Sequence, residues 1–241
     1  MTESTHTDAA LYYLSGDEPK PEVNGKFLRH YTHNLCMFSE RARLAFAVKQ
    51  IPFQQVHVDM QNKAKWHVDA NSGTLPVLEM PDGTIIIESR IIQDFAHDYA
   101  KDQGEDLYDK DPVKAAKQRL AMEAFNGFIM PFFGVMMSRG ENEDAFKALV
   151  PIVEKYENWL KEHLGTGNFL LGYDHATMVD VQVFPALERL VLFENSPFHD
   201  IFERLNVKET APTIYRYVHT FREIDQFKPF TIQLSAWTKF L

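Results

Sequence analysis

The sequence predicts a small α/β domain followed by an all-helical domain, and three observations carry that prediction. Between Lys26 and Tyr99, short runs of β character alternate with helical ones. Beyond Asp111 only helical periodicity recurs, and the segment between the two regions, Lys101–Asp111, is charged and contains glycine, as a linker would. At 241 residues and 45% apolar content the chain can fill one large core or two modest ones.

Taken in order, Met1 to about Gly25 reads as an extended arm, because Gly16, Pro19 and Pro21 interrupt any regular element. Phe27, Arg29 and Tyr31 alternate with their neighbours as a short strand, and Phe38–Lys49 follows as a helix. Phe53–Val58, opened by Ile51-Pro52, reads as a second strand, and Asn62–Ala70 as a short helix. The apolar runs Pro76–Met80 and Thr84–Glu88 flank Pro81-Asp82-Gly83, a turn signal, so they must pair as an antiparallel hairpin. Ser89 then caps a helix in which Ile91, Ile92, Phe95 and Tyr99 recur at helical spacing. Strand, helix, strand, helix, two strands and a helix make the thioredoxin-like order, whose βαβ half is expected to be right-handed. In the second half, Val113–Phe125 and Ala145–His163 are amphipathic, and Gly165-Thr166-Gly167 ends the latter. Met178–Phe193 is apolar enough to be a central buried helix, and Thr213–Ile224 follows Pro212 as another. The expected limits are an N-terminal extension over 1–24, a thioredoxin-like domain over 25–102 and a helical domain over 110–241.

A formal net charge of −9 disfavours nucleic acid and anionic membranes as partners, since both need clustered Lys and Arg. Met1–Lys20 is too polar for a secretory leader, and the longest apolar stretch, Phe128–Met137, contains Pro131 and Gly134 and is too short to span a bilayer. No stable membrane insertion is expected, and with one cysteine in the chain a cytoplasmic location is. Ten histidines are present, but His30 and His33 have no neighbouring cysteine or carboxylate cluster and the others are scattered, so no metal site is expected. Asp200, Glu203 and Arg204 read as a solvated helix face. A glycine-rich phosphate loop is absent.

The most informative residue is Cys36, the sole cysteine, placed between the first strand and the first helix. At a helix start the unpaired N–H groups and the dipole favour negative charge, so a thiol there is more easily the nucleophilic thiolate. With no second cysteine, any redox cycle needs an external thiol. The competing reading is a small buried apolar residue.

Four segments together resemble one family. Leu35-Cys36-Met37-Phe38-Ser39-Glu40-Arg41 resembles the Phe-Cys-Pro-Phe-Ala-Glu-Arg site of omega-class glutathione transferases. Gly73-Thr74-Leu75-Pro76-Val77-Leu78-Glu79 is similar to the loop and strand bearing the family's cis-proline, Glu88-Ser89 to its Glu-Ser pair at a helix start, and Thr177-Met178-Val179-Asp180 to its capping box. Asn62-Lys63-Ala64-Lys65-Trp66 resembles a further omega segment, and the likeness runs from about residue 20 to 230. It implies that Cys36 is catalytic and that Phe38, Lys63, Leu75, Pro76, Glu88 and Ser89 hold glutathione. Leu75, before a cis Pro76, would pair with the cysteinyl backbone, Glu88 and Ser89 would take the γ-glutamyl ammonium and carboxylate, and Lys63 the glycyl carboxylate. The implied chemistry is a mixed disulfide between Cys36 and glutathione, with thioltransferase and dehydroascorbate reductase activity in a homodimer and weak aromatic conjugation. Thr177 and Asp180 read as folding determinants. An acceptor site between the domains would draw on Phe128, Met130, Phe132, Phe133, Met136, Met137, Phe184 and Arg189, residues that serve equally well as core or dimer packing. The chain departs from the omega pattern at Met37, which stands where that pattern has proline and restores an N–H donor near the sulfur. Two alternatives share the fold: an intracellular chloride-channel-like protein that associates with membranes, and a non-catalytic binding module.

Overall fold

The computed structural model describes residues 12–23 and 25–233. Backbone contacts divide the chain into two compact units, the first closing at Asp106 and the second opening at Leu107.

In the first unit, β2 (Leu28–Thr32), α1 (Met37–Val48) and β3 (Phe53–Val58) form the expected βαβ element, its strands parallel with Leu28 opposite Phe53 and Thr32 opposite His57. The helix α2 (Lys65–Asn71) follows, then the antiparallel pair β4 (Val77–Glu79) and β5 (Ile85–Ile87), then α3 (Ser89–Tyr99). A strand missing from the sequence reading, β1 (Tyr12–Leu14), lies inside the segment expected to be an irregular arm. It pairs in parallel with β3, so the sheet order is β1-β3-β2-β4-β5. Leu14 accounts for this, because its side chain completes a core cluster with Tyr31, Val56, Val58, Leu75 and Val77. The first eleven residues of the expected arm lie outside the described residues.

Every residue of β2 is buried, so both sheet faces are covered and alternate side chains serve different cores. His30 turns its ring onto Phe46 of α1, with centroids 5.9 Å apart, while Tyr31 meets Trp66 of α2 at 4.8 Å. Arg29 and the Tyr31 hydroxyl both reach the buried Glu79 carboxylate at 2.9 Å, and Lys20 of the arm adds a second ion pair to it. Burial, the largest cause, holds the Tyr31 hydroxyl well above its usual pKa. Gly104 closes the unit: at φ +62° a Cβ would lie 2.2 Å from the Val48 carbonyl, so glycine alone lets this loop lie on the end of α1.

The second unit comprises α4 (Pro112–Met137), α5 (Glu143–Leu164), α6 (Met178–Leu192), α7 (His199–Leu205), α8 (Val207–Thr210) and α9 (Pro212–Arg222). Here α4 corrects the sequence reading, because it runs unbroken through Pro131 and Gly134. Phe128–Met137 is therefore part of a 26-residue helix that, alone among the described helices, is long and apolar enough to cross a membrane. What holds it together is a ladder of stacked rings: Phe125 on Phe128 at 5.2 Å, Phe128 on Phe132 at 5.4 Å, and Phe132 on Phe193 at 5.5 Å. Several such contacts outweigh the roughly 3 kcal/mol an internal proline costs. Phe128, Phe132, Phe184 and Arg189 are thus buried in the helical core, whereas Met130 and Met137 are exposed.

Asp200, Glu203 and Arg204 are all exposed on α7, as expected of a solvated face. Arg204 also donates to the Gly140 carbonyl at 2.9 Å, pairs with Glu143 at 2.6 Å and covers the Phe146 ring at 3.9 Å, tying α7 to the α4–α5 corner. The capping box at α6 is present. Asp180 accepts from the N–H groups of Thr177 and Leu170, both at 2.9 Å, and from the Tyr217 hydroxyl at 3.0 Å, joining α6, the preceding loop and α9 at one buried carboxylate.

Candidate active site

The parallel β2 ends at Thr32 and the chain must turn before α1 can cross back, which leaves Cys36 at the N-cap of that helix. Its N–H donates to His33 O at 3.0 Å, its carbonyl accepts from Glu40 N–H at 3.1 Å, and its sulfur accepts from Ser39 N–H at 3.4 Å. One of the helix's orphan amides is thus spent on the sulfur. Met37, in the position of the omega proline, is the first helical residue and is buried.

Pairing of β4 with β2 sets Val77 opposite Tyr31, which brings the residues just before β4 beside the β2–α1 turn. There the Leu75–Pro76 bond is cis, and the Leu75 carbonyl oxygen lies 4.0 Å from the Cys36 sulfur. Among the described residues the Leu75 N–H has no partner. Thr74 is held tightly: its N–H and hydroxyl both reach Asn71 O, at 2.8 and 2.9 Å, and its carbonyl accepts from His67 Nε2 at 2.8 Å and Asn71 Nδ2 at 3.2 Å.

On the other side, β5 ends at Ile87 and α3 begins at Ser89, so the reversal falls on one residue, Glu88. The N-cap is therefore Glu88 and not Ser89, a correction of one position. Glu88 sits at φ +70°, a conformation that a sequence does not advertise for glutamate. Its side chain makes no cap bond and is exposed.

Phe38, Leu75, Pro76, Glu88 and Ser89 line one pocket of about 260 Å³, together with Asn71 and Thr74. Cys36 borders it through Leu75. Lys63 is not among the lining residues; its side chain lies along Gly73, where a Cβ would come within 2.7 Å of Lys63 Cδ. Asn71, Thr74 and the buried His67 escaped the sequence reading, because their shared signal is a set of bonds to one backbone segment and not a motif. The pocket offers a free strand edge, a hydroxyl and open helix start, a carboxylate, an aromatic face and a thiol. That set suits a peptide-like ligand carrying an ammonium, a carboxylate and a sulfur. Among the described residues no cluster of three or more His, Cys, Asp or Glu is arranged to hold a metal. His30 and His57 are buried; burial first, then the Arg43 cation, holds His30 well below the usual imidazole range and brings His57 down to about 4.

A thioredoxin-like domain with a cis-proline strand beside a half-buried cysteine, followed in sequence by a helical domain, is the build of the glutathione transferase fold. Residues 31–102 match the family model described as "Glutathione S-transferase, N-terminal domain". The chain is 26% identical to glutathione S-transferase omega-1 of Mus musculus over 177 residues, covering 73% of this chain and 72% of that one. It is 29% identical to omega-1 of Sus scrofa, covering 74% and 73%. It is also 27% identical to pyrimidodiazepine synthase of Drosophila melanogaster, covering 76% and 73%. Among solved structures, a trimeric glutathione transferase from Leishmania superposes with a TM-score of 0.73 at 25% identity over 90% of this chain, which spans 48% of that longer protein. Omega 1C from Trametes versicolor superposes at 0.70 with 19% identity, covering 88% and 94%, which shows the shared fold. Residues 31–102 thus carry a glutathione S-transferase N-terminal domain, and about three quarters of the chain is similar to omega-class glutathione transferases.

Proposed function

We propose that this protein is a glutathione-dependent thiol transferase and reductase that works through a mixed disulfide on Cys36. The observation that supports this most is the placement of the Cys36 sulfur, capped by Ser39 N–H at 3.4 Å and 4.0 Å from the Leu75 carbonyl on the edge that would carry glutathione. On this reading Leu75 N–H and C=O pair with the cysteinyl backbone of glutathione, as a short antiparallel ladder. Glu88 takes the ammonium, and Ser89 with the open start of α3 takes the α-carboxylate. Phe38 closes the apolar wall, and Lys63 reaches the glycyl carboxylate.

The Cys36 thiolate attacks the glutathionyl sulfur of a mixed disulfide R–S–S–G. The Cys36–glutathione S–S bond forms, the old S–S bond breaks, and RS⁻ leaves. A second glutathione thiolate attacks the bound glutathionyl sulfur, releasing oxidised glutathione and restoring the Cys36 thiolate. With dehydroascorbate as acceptor, two glutathione molecules supply the two electrons. A cytoplasmic homodimer belongs to this reading; Leu120, Met130 and Met137 on α4, 68%, 76% and 74% exposed, support an apolar association surface.

The test compares turnover of hydroxyethyl disulfide and dehydroascorbate with that of an aromatic chloride, each with glutathione. Turnover of the first two with little conjugation supports the proposal. Conjugation that exceeds thiol exchange, or no turnover by folded protein, contradicts it.

A further inference from the structure

We infer that His67 is a positioning residue for glutathione, fixing the Thr74–Leu75 peptide plane so that the Leu75 N–H faces the ligand; this rests on the function proposed above. His67 Nε2 lies 2.8 Å from Thr74 O. That carbonyl and the Leu75 N–H belong to one peptide group, which is trans because only Leu75–Pro76 is cis among the described residues. In a trans peptide the C=O and N–H point in opposite directions, so drawing the carbonyl toward α2 turns the N–H away from it. The Leu75 N–H has no partner among the described residues, and Leu75 lines the pocket. Donation into the carbonyl also polarises the peptide and strengthens its N–H as a donor.

The chemistry of the ring agrees. A carbonyl only accepts, so Nε2 must carry the proton and Nδ1 the lone pair. His67 is fully buried, and its Nδ1 has no partner. Such a ring carries a desolvation cost that an apolar residue would avoid, and the bond to Thr74 is what offsets it. Burial holds the ring below the usual imidazole range against the pull of the Thr74 bond, and the Lys63 cation adds to the effect of burial. The ring is therefore kept neutral and in the donating tautomer. Asn71 Nδ2 adds a second, longer bond to the same oxygen at 3.2 Å.

The test measures glutathione affinity by calorimetry, and KM and kcat by hydroxyethyl disulfide turnover, on wild type, His67→Phe, His67→Gln and Asn71→Ala. Phenylalanine keeps the volume and removes the donor; the dissociation constant and KM for glutathione should rise about five- to tenfold, the factor one hydrogen bond supplies, with kcat nearly unchanged. Glutamine carries an amide N–H at the same reach and should restore the wild-type values. Asn71→Ala, which keeps the buried ring, should shift KM in the same direction by about threefold and covers the case in which His67→Phe does not fold. Equal affinity in wild type and His67→Phe, equal losses in His67→Phe and His67→Gln, or an unchanged Asn71→Ala would each overturn the assignment. Failure of wild type itself to bind glutathione would overturn the functional reading and this inference with it.

Discussion

Cys36 and Leu75–Pro76 were legible because their residue types are rare at those places and their chemistry is read from type alone. A lone cysteine between a strand and a helix can only be a thiol at a helix start. Phe38, Leu75, Pro76, Glu88 and Ser89, chosen from sequence by motif, line one pocket. His67 was illegible for the opposite reason: its partner is a backbone carbonyl seven residues away, and a carbonyl leaves no mark in a sequence. The conformation of Glu88 was equally hidden, and it carries a prediction with two readouts. Glycine tolerates φ +70° and glutamate does not, so Glu88→Gly should raise unfolding free energy by up to about 1 kcal/mol in urea melts. The same change removes the carboxylate proposed to hold the γ-glutamyl ammonium, so the KM for glutathione should rise about tenfold. A variant that gains stability and keeps its KM would remove Glu88 from the site while leaving the backbone argument intact.

Secondary-structure elements whose pattern is local were read almost to the residue, as with Phe53–Val58 and Ser89–Tyr99. Those decided by distant packing were not. Three residues are too few to announce β1, whose existence depends on Leu14 entering a core built by residues as far along as Val77. Likewise Pro131 and Gly134 speak locally for a break, and the ring ladder along α4 overrules them. Asp180 shows how one side chain can hold elements together: it satisfies two backbone donors and the hydroxyls of Thr177 and Tyr217, from three parts of the helical unit. Asp180→Ala should therefore destabilise the protein by about 3 kcal/mol or more, because it leaves two buried N–H groups unpaired. Thr177→Ala, which removes the cap but keeps the carboxylate, should cost about 1 kcal/mol. Equilibrium denaturation separates the two, and similar small losses would contradict the central place given to Asp180.

At the scale of the molecule, buried titratable groups on the two units act in opposite directions on acid stability. His57, brought down to about 4 by burial and then by Arg43, binds fewer protons folded than unfolded between that value and the ordinary imidazole 6.5. Stability is therefore lost as pH falls through this window, by about 2 kcal/mol from pH 7 to pH 5 for this residue. His30, also held well below the usual imidazole range by burial, adds to the loss. Asp180, pushed up to about 6 by burial against its hydrogen bonds, works the other way: folded protein binds the extra proton below pH 6, which favours the folded state there. The clean measurement is a difference, the unfolding free energy of wild type minus His57→Gln at pH 7 and at pH 5. The wild type should lose about 2 kcal/mol more than the variant over that interval. Equal losses would mean that His57 takes up its proton as readily in the native state as in the unfolded chain.

The most direct test of the thiol-exchange account is intact mass after incubation with oxidised glutathione, on wild type and Cys36→Ser, alongside turnover of hydroxyethyl disulfide. The account predicts one glutathionyl adduct on wild type, none on Cys36→Ser, and turnover that disappears with the adduct. No adduct on folded wild type, or turnover that survives in Cys36→Ser, would contradict it.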